Sequence, residues 1–422
     1  MFRINVRMED VIMSLSNVID MISPQIIGHH KRVAYIAYSI AEEMNLPQKD
    51  KETIVIAGLL HDIGALSLQE RIDLMKFECT DAGEHCRAGY FVLREFPPLR
   101  DAADIIRFHH NYWNNGVPLK PGAPRVPIHS HILHLADRID VLINENMNIL
   151  AQEENIYHSI EIQKNKMFMP EAVDAFKVVK SRESFWLYMS PYYINTKLME
   201  ELSRSSVSLS LDDVLSFSKM FGYLIDFKSR FTATHSSGVS AVAVEIAKLM
   251  NFADDEIKMI EVAGNLHDIG KLAVPTEILE KPTSLDFYEF SSIRSHTFHT
   301  YNILKPLKGF EIINEWASYH HEGLTGSGYP FHIKGENINL GSRIITVADI
   351  FTALTEERPY RKGMAEAEVD RIFVSFIIAG HVDQKVYDVL KENFEKIDAA
   401  RRVAQENAQI KYSEFRNAIS TT

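Results

Sequence analysis

The feature that most constrains the fold of this chain is an internal repeat with an offset of 206 residues. Residues 29–64 align with residues 235–270 without a gap, and 15 of the 36 aligned positions are identical. The identities include the run His-Asp-Ile-Gly, at residues 61–64 and again at residues 267–270. Self-similarity of this extent indicates a duplicated structural unit. We therefore expect two related domains.

The repeat continues beyond the aligned block as a fixed order of histidines and aspartates. Each copy has a histidine, a His-Asp pair, a further histidine, a His-His pair and a final aspartate, and ten of the 18 histidines belong to this order. The first copy consists of His29, His61, Asp62, His85, His109, His110 and Asp137. The second copy consists of His235, His267, Asp268, His296, His320, His321 and Asp349. A lone histidine on an apolar helix is more often a packed core residue than a ligand, but packing does not explain this order occurring twice.

Hydrophobic periodicity predicts an all-α fold. Apolar residues recur at helical spacing over residues 33–44 and again over residues 239–250, whereas strand-like alternation is scarce. We expect two helical bundles, at residues 1–150 and 211–422, with a helical connector over residues 151–210. The charged amphipathic tail could pack on either domain or on a second subunit, which leaves a homodimer open.

Composition excludes several classes of protein. The net charge of −12 argues against the basic surface that DNA or RNA binding requires. No apolar run approaches the roughly 18–20 residues of a membrane span. The two cysteines, Cys79 and Cys86, cannot form a disulfide framework, so a cytoplasmic location is the expectation.

Histidine nitrogens and aspartate oxygens together suit first-row divalent metals. The repeated order contains no cysteine, which argues against a structural zinc site. An aspartate can bridge two ions through its two oxygens, and seven ligands around two ions leave positions for water and for substrate oxygens. This pattern is typical of a two-metal hydrolase, in which a hydroxide bridges the metals and the metals bind a phosphate.

Four motifs of the second half carry a family resemblance: HDIGK at residues 267–271, HHE at 320–322, GSGYP at 326–330 and ADIFTALTEERPYR at 348–361. In these motifs the second half resembles the HD-GYP family of metal-dependent phosphohydrolases. The resemblance implies a helical bundle around two or three metal ions, often iron or manganese, and hydrolysis of a cyclic dinucleotide. Cyclic di-GMP is the first expectation for the substrate, and 3′,3′-cyclic GMP-AMP is the second.

The resemblance also implies roles for particular residues. The metal ligands are the seven residues of the second copy given above, and His267, Asp268 and Lys271 form the catalytic group. The expected substrate-binding residues are Lys271, Tyr329, Pro330, Arg358 and Arg361. The arginines of ERPYR would bind phosphate oxygens through their guanidinium groups, and Tyr329 would lie beside a guanine. Without the neighbouring motifs, these arginines and this loop would be interpreted as ordinary surface features.

Three departures of the second half from the family pattern bear on the metal centre, and a fourth, Thr300 in place of a usual glycine, is minor. Some members hold a third metal with a glutamate where this chain has Phe231, so two metals are favoured over three. Thr325 and Thr352 replace two aspartates that are usual in the family. A threonine supplies no negative charge, which puts the support of the ligands and the substrate preference in question.

The first half resembles a diverged HD domain. Its ligand set is complete, which predicts a possible second metal site. However, Ala65 stands at the position of Lys271, Asn111 stands at the position of Glu322, the segment WNNGVP lacks GYP, and nothing after Asp137 resembles ERPYR. The groups that would bind phosphate are missing, so a structural, dimer-forming or regulatory role is the alternative to catalysis.

The leading hypothesis is therefore a metal-dependent cyclic-dinucleotide phosphodiesterase whose second half performs the chemistry. One alternative is a non-catalytic tandem-domain protein that binds a nucleotide or a partner in signalling. Another is an HD phosphohydrolase that acts on other nucleotides, which the GSGYP and ERPYR segments disfavour.

Overall fold

The structure is a computed structural model. It describes the chain except for residues 1–5, 22–26, 66, 78–82, 118–124, 206, 229–233, 282, 358–361 and 421–422. Within the described residues, helices account for nearly all regular structure, and the only strands are two short ones. β1 (Val6–Arg7) pairs antiparallel with β2 (Ser208–Leu209), with Val6 opposite Leu209. The all-α prediction is confirmed.

The helices follow one another through short turns. In the first half they are α1 (Met8–Asp20), α2 (His29–Glu43), α3 (Gln48–Leu60), α4 (Leu68–Leu74), α5 (Gly83–Leu93), α6 (Arg100–Ile106), α7 (Ile128–Val141), α8 (Glu153–Glu161), α9 (Pro170–Lys180), α10 (Glu183–Leu187) and α11 (Ile194–Leu202). In the second half they are α12 (Leu211–Lys228), α13 (His235–Leu249), α14 (Asp254–Leu266), α15 (Thr276–Leu279), α16 (Phe287–Leu304), α17 (Glu311–Ser318), α18 (Leu340–Thr355), α19 (Glu366–Ile378), α20 (Gln384–Glu392) and α21 (Phe394–Ser420).

The chain forms two compact units. The N-terminal unit consists of residues 15–207 and 418–422, and the C-terminal unit consists of residues 1–14 and 208–417. Residues 151–207 form the short helices α8 to α11 within the N-terminal unit, and Pro170 is the first residue of α9, where its missing N–H costs no helical hydrogen bond. The boundaries at residues 150 and 210 that the sequence suggested stay a prediction. No helix in the described part of the chain is both long and apolar enough to span a membrane.

Each unit is built around the same three helices. In the C-terminal unit α13 packs against α14 and α18, and in the N-terminal unit α2 packs against α3 and α7. The apolar face of α13 is fully buried in this packing and contains Val239, Val242, Ala243 and Ile246. The helical spacing of these residues produces one continuous apolar stripe, so burial of that stripe fixes the orientation of α13. His235, the first residue of α13, is thereby placed at the end of the three-helix core.

The helix α16, which carries His296, has a strong start signal in the sequence. The Asp286 carboxylate accepts hydrogen bonds from the backbone N–H groups of Tyr288 and Glu289, and Glu289 in turn accepts from the Asp286 backbone N–H. Such a reciprocal cap stabilises a helix by about 1 kcal/mol. It fixes the first turn of α16, and thus the position of His296 further along the helix.

Candidate metal centre

The His-Asp pair of the second copy lies directly after the last residue of α14. The Nδ1–H of His267 donates to the backbone oxygen of Gly264 at 2.7 Å, so the free lone pair of this imidazole is on Nε2. Both His267 Nε2 and Asp268 Oδ1 are buried and have no hydrogen-bond partner among the described residues. Burying an acceptor without a partner costs about 1–3 kcal/mol, which a bound cation would offset.

His296 and His320 are oriented in the same way. Their Nδ1–H groups donate to the backbone oxygens of Ile293 and Ala317, at 2.6 and 2.7 Å. Because the protons are on Nδ1, the two Nε2 atoms face each other as lone pairs only 3.3 Å apart. Two acceptors cannot hydrogen-bond to each other. A cation between or beside them resolves this arrangement, so the donor geometry fits a metal ion.

Asp268 connects two groups of ligand atoms. Its Oδ2 is 3.3 Å from His267 Nε2, and its Oδ1 is 3.3 Å from His296 Nε2. One group consists of His235, His267 and Asp268, and the other consists of His296, His320 and His321. The ligand atoms of each group lie within 4.8 Å of one another. Asp268 thus lies between the two groups, as the prediction of two metal ions requires, and the number of ions stays a prediction.

Asp349, from α18, completes the set. Its Oδ1 lies 3.0 Å from His235 Nε2 and 4.0 Å from His267 Nε2. The structure therefore brings together all seven ligands predicted for the second copy. They come from the start of α13, the residues just after α14, the middle of α16, the residues just after α17 and the middle of α18, so five helices of the C-terminal unit hold them in position.

The electrostatics of His296, His321 and Asp268 favour metal binding. Burial lowers the pKa of His296 and of His321 to about 3, so both imidazoles are neutral ligands at pH 7. Burial alone would raise the pKa of Asp268, but His267 and Lys271 outweigh it and hold that pKa well below its usual range. Neutral imidazoles and ionised carboxylates are the forms that bind metals.

His235 has a carboxylate on each side. Its Nδ1 lies 3.3 Å from the Glu356 carboxylate, opposite Asp349. Burial would lower the pKa of His235, but the two carboxylates outweigh it and raise that pKa to about 10. Sequence analysis missed Glu356, which follows α18 directly and is buried. A carboxylate on the far nitrogen of a ligating histidine fixes its tautomer and orientation.

Glu356 supplies the support that Thr352 cannot. In the first copy, the position corresponding to Thr352 is Asp140, whose carboxylate accepts from His29 Nδ1 at 2.7 Å. Thr352 is fully buried and its hydroxyl has no described partner, while Glu356, one helical turn later, takes over the contact with the first histidine. The departure from the family pattern at this position is therefore compensated within the same helix end.

The proposed substrate side of the centre is formed by Lys271 and Tyr329. Lys271 Nζ lies 2.5 Å from Asp268 Oδ2. The Tyr329 ring lies 5.0 Å from the His321 ring, and the Arg294 guanidinium lies over the Tyr329 ring at 4.7 Å. Arg294 was not among the sequence candidates. Pro330 follows Tyr329 through a cis peptide bond.

Glu322, the last residue of HHE, holds the GSGYP loop. Its carboxylate accepts from the backbone N–H groups of Phe331 and Ile333, at 2.7 and 3.0 Å. Its absence from the first copy is consistent with the loss of GYP there. Arg358 and Arg361, predicted to bind phosphate, and Phe231, discussed for a third metal, lie outside the described residues.

Comparison with known proteins identifies the family. Residues 26–142 and residues 219–372 match two family models, both described as HD domain. A protein of Vibrio cholerae serotype O1, named 3′3′-cGAMP-specific phosphodiesterase 1, is 31% identical over 406 residues, which cover 92% of each chain. The chain belongs to the HD-GYP family.

Two further relatives are similar over parts of the chain, and one solved structure is similar over nearly all of it. The V. cholerae protein named 3′3′-cGAMP-specific phosphodiesterase 3 is 34% identical over 282 residues, covering 66% of this chain and 60% of its own. A cyclic di-GMP phosphodiesterase of Pseudomonas aeruginosa is 35% identical over 158 residues, covering 37% of this chain and 38% of its own. The crystal structure of a cyclic GMP-AMP specific phosphodiesterase of V. cholerae aligns with a TM-score of 0.64 at 25% identity, covering 94% of this chain and 98% of that one.

The N-terminal unit of this HD-GYP protein gathers its own ligand set. Asp62 Oδ1 is 3.4 Å from His85 Nε2 and 3.8 Å from His109 Nε2, while Asp62 Oδ2 is 3.5 Å from His61 Nε2. His29 Nε2 is 3.6 Å from Asp137 Oδ1. His110 Nε2 is 3.9 Å from Asp137 Oδ2. All seven residues predicted for the first copy therefore lie in one cluster.

Three further residues enter this second cluster that sequence analysis did not anticipate. Arg138 is buried and donates to Asp137 Oδ2 at 2.6 Å. Cys86 Sγ lies 3.6 Å from His85 Nε2 and 3.4 Å from His109 Nδ1. His30 belongs to a group with His61 and Asp62. The immediate sequence neighbourhood was the available signal, since each of them is adjacent to a predicted ligand.

The thiol of Cys86 is affected by its surroundings. Burial would raise the pKa of the Cys86 thiol, but the nearby imidazoles of His109 and His85 outweigh burial and lower it to about 6. The two clusters thus differ in chemistry, because the C-terminal one contains only nitrogen and oxygen donors within its described residues.

Proposed function

We propose that this protein hydrolyses a phosphodiester bond of a cyclic dinucleotide in its C-terminal unit, with 3′,3′-cyclic GMP-AMP as the preferred substrate and cyclic di-GMP as the second candidate. The observation that carries the proposal is the pair of ligand groups joined by Asp268, with Lys271 beside them. A relative whose name specifies 3′3′-cGAMP matches 92% of the chain, whereas the cyclic di-GMP relative from P. aeruginosa matches 37%. This reverses the order of the two substrates suggested by the motifs alone.

The proposed cofactor is a pair of divalent ions, with iron or manganese as the first candidates. Five imidazoles and two carboxylates form the donor set, which suits these ions better than softer ones. When bound, such ions activate water for attack and neutralise the charge of a phosphate. His235, His267, Asp268 and Asp349 would hold one side of the centre, and His296, His320 and His321 would hold the other.

The role proposed for Lys271 follows from its charge and position. Burial would lower the pKa of Lys271, but Asp268 and Asp349 outweigh it and raise that pKa above its ordinary value. The side chain therefore keeps its proton at neutral pH and remains a donor. In the structure the Lys271 ammonium is paired with Asp268. From this position it can rotate toward a phosphate oxygen of the substrate and stabilise the negative charge that develops there.

The role proposed for Tyr329 is to stack against a base of the substrate. The His321 ring lies 5.0 Å from the Tyr329 ring, the Arg294 guanidinium lies 4.7 Å from the Tyr329 ring centre, and Glu322 anchors the loop that carries Tyr329. An aromatic ring next to a guanidinium provides a flat, polarised surface that purine bases favour. Thr325, at an exposed position in the same loop, hydrogen-bonds to Ser327 at 2.9 Å, so it could contribute to discrimination between guanine and adenine.

The same activity is not proposed for the N-terminal unit. Ala65 occupies the position of Lys271. In addition, the Arg138 guanidinium neutralises Asp137, the counterpart of the predicted metal ligand Asp349. The first change removes the cation that would contact the phosphate, and the second leaves one carboxylate less available to a metal ion.

The test is hydrolysis by the purified full-length protein loaded with iron or with manganese. Substrates are 3′,3′-cyclic GMP-AMP, cyclic di-GMP and ordinary nucleoside monophosphates and triphosphates, with products resolved by chromatography. We expect the highest kcat/KM for 3′,3′-cyclic GMP-AMP, a lower value for cyclic di-GMP and no activity in His267→Ala. Hydrolysis of simple nucleotides alone would favour the other HD phosphohydrolase class, and binding of a cyclic dinucleotide without cleavage would favour the signalling alternative.

A further inference from the structure

The turn that carries Asp268 is hydrogen-bonded to the side chain of Thr300, on α16. Thr300 is fully buried. Its hydroxyl donates to the backbone oxygen of His267 at 3.0 Å and accepts from the backbone N–H of Gly270 at 3.1 Å. The hydroxyl thus bridges the first and last residues of the His-Asp-Ile-Gly run, with Asp268 between them.

This contact satisfies a backbone group at the end of α14. The carbonyl groups in the last turn of an α-helix have no N–H partner within the helix. His267 directly follows the last residue of α14, and its carbonyl oxygen has a donor in the Thr300 hydroxyl. Because a buried polar group without a partner is costly, removal of the hydroxyl favours a rearrangement of this backbone. Such a rearrangement moves His267 and Asp268, which are predicted metal ligands.

The other end of the turn is held by a buried cation in both copies. Lys228, the last residue of α12, donates from Nζ to the backbone oxygens of Lys271 and Leu272, at 3.1 and 2.8 Å. In the first copy the Nε of Arg71 donates at 2.7 Å to the backbone oxygen of Ala65, the counterpart of Lys271. The cation at this end therefore does not distinguish the two copies.

The contact of Thr300 does distinguish them. Thr300 lies four residues after His296, and the residue four after His85 is Gly89, which has no side chain. A methyl group added at Gly89 would be 3.6 Å from the backbone nitrogen of Gly64, the last residue of the first His-Asp-Ile-Gly run. A side chain at this position would therefore lie next to the same amide of the turn. The hydroxyl is present in the copy that has the lysine of HDIGK and is missing from the copy that lacks it.

We propose that Thr300 is a positioning residue of the C-terminal metal centre, whose hydroxyl fixes the backbone on both sides of Asp268 and so sets the position of the carboxylate that joins the two ligand groups. Its hydrogen bonds go to backbone atoms, so it acts through the turn. The proposal rests on the metal centre of the proposed function. It gives a role in that centre to a residue for which the motifs predicted only a minor effect.

The experiment compares three variants of the full-length protein. Thr300→Val keeps the shape of the side chain and removes the hydroxyl, and Thr300→Ser keeps the hydroxyl and removes the methyl group. Thr297→Val is the matched control, because Thr297 is also fully buried on α16 but its hydroxyl donates to the backbone oxygen of Arg294 within the same helix. A general effect of losing a buried hydroxyl from α16 would appear in both valine variants.

The first measurement is amide hydrogen exchange, read by mass spectrometry over the peptide that covers residues 267–273. In metal-free protein this peptide should exchange about 10-fold faster in Thr300→Val than in wild type or the other two variants. The Mn²⁺ concentration that protects the peptide half-maximally should rise by about 10-fold in Thr300→Val, the loss that follows when the support of a metal ligand is removed. Because the peptide belongs to the C-terminal unit, its protection reports on the proposed centre.

The second measurement is hydrolysis of 3′,3′-cyclic GMP-AMP at saturating Mn²⁺. In Thr300→Val we expect kcat to fall by about 10-fold with KM changed by less than about twofold, because a displaced carboxylate impairs the reaction more than substrate binding. Thr300→Ser and Thr297→Val should stay within about threefold of wild type in kcat. Thr300→Ala, which also lacks the hydroxyl, should reproduce every change, and it replaces Thr300→Val if that variant does not fold.

Two results would overturn the proposal. One is exchange and Mn²⁺ protection in Thr300→Val equal to those of wild type. The other is the same losses in Thr297→Val or in Thr300→Ser. Both exchange measurements are made without substrate, so the expected changes in a protein that does not hydrolyse the cyclic dinucleotide would support the role of Thr300 and contradict the proposed function alone.

Discussion

Gly270 provides a steric test of the proposed centre. It ends the His-Asp-Ile-Gly run and lies against the backbone of α16, where a methyl group on its Cα would be 1.9 Å from the backbone oxygen of His296 and 2.7 Å from the backbone nitrogen of Thr300. Ordinary contact begins at 3.4 Å, so in Gly270→Ala the turn and α16 must separate by 3.4 − 1.9 = 1.5 Å.

This displacement acts directly on the ligands. Asp268 lies on the turn and His296 lies on α16, and their ligand atoms are 3.3 Å apart. A misplacement of about 1 Å at a reacting centre can reduce the rate about 100-fold, and overpacking of this kind costs about 1–3 kcal/mol of stability. We expect Gly270→Ala to lower kcat/KM for 3′,3′-cyclic GMP-AMP by about 100-fold or more, and to lower the free energy of unfolding by about 1–3 kcal/mol.

The duplication supplies a matched control. In Gly64→Ala the new methyl group would be 2.1 Å from the backbone oxygen of His85 and 2.4 Å from the backbone nitrogen of Gly89, a comparable clash in the N-terminal unit. This variant should lose similar stability but keep its activity. Kinetics are measured with saturating metal, at a temperature where circular dichroism shows both variants folded. If Gly270→Ala retains activity within threefold of wild type, the spacing between the turn and α16 does not define the active site.

Three further predictions concern individual side chains. Lys271→Met should lower kcat by about 100- to 1,000-fold, because it removes a charged donor from the developing phosphate charge. Glu356→Gln should weaken metal binding by about 10- to 100-fold in an equilibrium titration, because His235 loses the carboxylate that orients it. The pKa of His296 is lowered by burial to about 3, so in metal-free protein the unfolded chain takes up a proton below about pH 6.5 and the folded chain does not. Stability should therefore fall between pH 7.5 and 5.5, and in His296→Gln that fall should be smaller by about 1.3 kcal/mol.

Each of these predictions has a result that contradicts it. For Lys271, an unchanged kcat with a raised KM would mean that the lysine only binds substrate. For Glu356, adding Thr352→Asp to Glu356→Gln supplies a carboxylate at the position of Asp140 in the first copy, and it should recover part of the metal affinity. If Glu356→Gln binds metal as tightly as wild type, Glu356 does not support His235. For His296, equal pH dependence of denaturant unfolding in wild type and His296→Gln would show that the imidazole is not held neutral.

The repeat in the sequence was sufficient to predict the all-α fold and to select the two sets of histidines and aspartates that the structure brings together. Helix positions follow from apolar spacing, and the order of histidines survives because each ligand occupies the end of a helix or one face of it. The pairing of His30 with Asp20 at 2.5 Å, and of Ser236 with Asp226 at 2.7 Å, shows a contact preserved although the residue changed. Asp20 and Asp226 are identical at the offset of 206 residues, but identity alone does not reveal that each contacts the residue after the first histidine of its copy.

Other features depend on contacts that no local pattern reveals. In the sequence Glu356 is one of several charged residues of a motif, and nothing local distinguishes it. In the structure it follows α18 and its carboxylate contacts His235. Arg138 resembles a surface cation in the sequence, yet it is 1% exposed and paired with Asp137. The expectation that no cysteine joins the ligands rested on the repeated order alone, whereas the turn of α5 brings Cys86 to the same cluster as His85. The angle at which two helices meet decides such contacts, and the sequence does not specify it directly.

The central claim is that one copy of a duplicated metal site hydrolyses a cyclic dinucleotide and the other does not. The most direct measurement compares Asp268→Asn with Asp62→Asn, the same change at the same position of the two copies, in hydrolysis of 3′,3′-cyclic GMP-AMP. We predict that Asp268→Asn lowers kcat/KM by at least 1,000-fold, because the carboxylate that joins the two ligand groups is lost, and that Asp62→Asn changes it by less than about threefold. Equal losses in the two variants, or a loss in Asp62→Asn alone, would contradict the account.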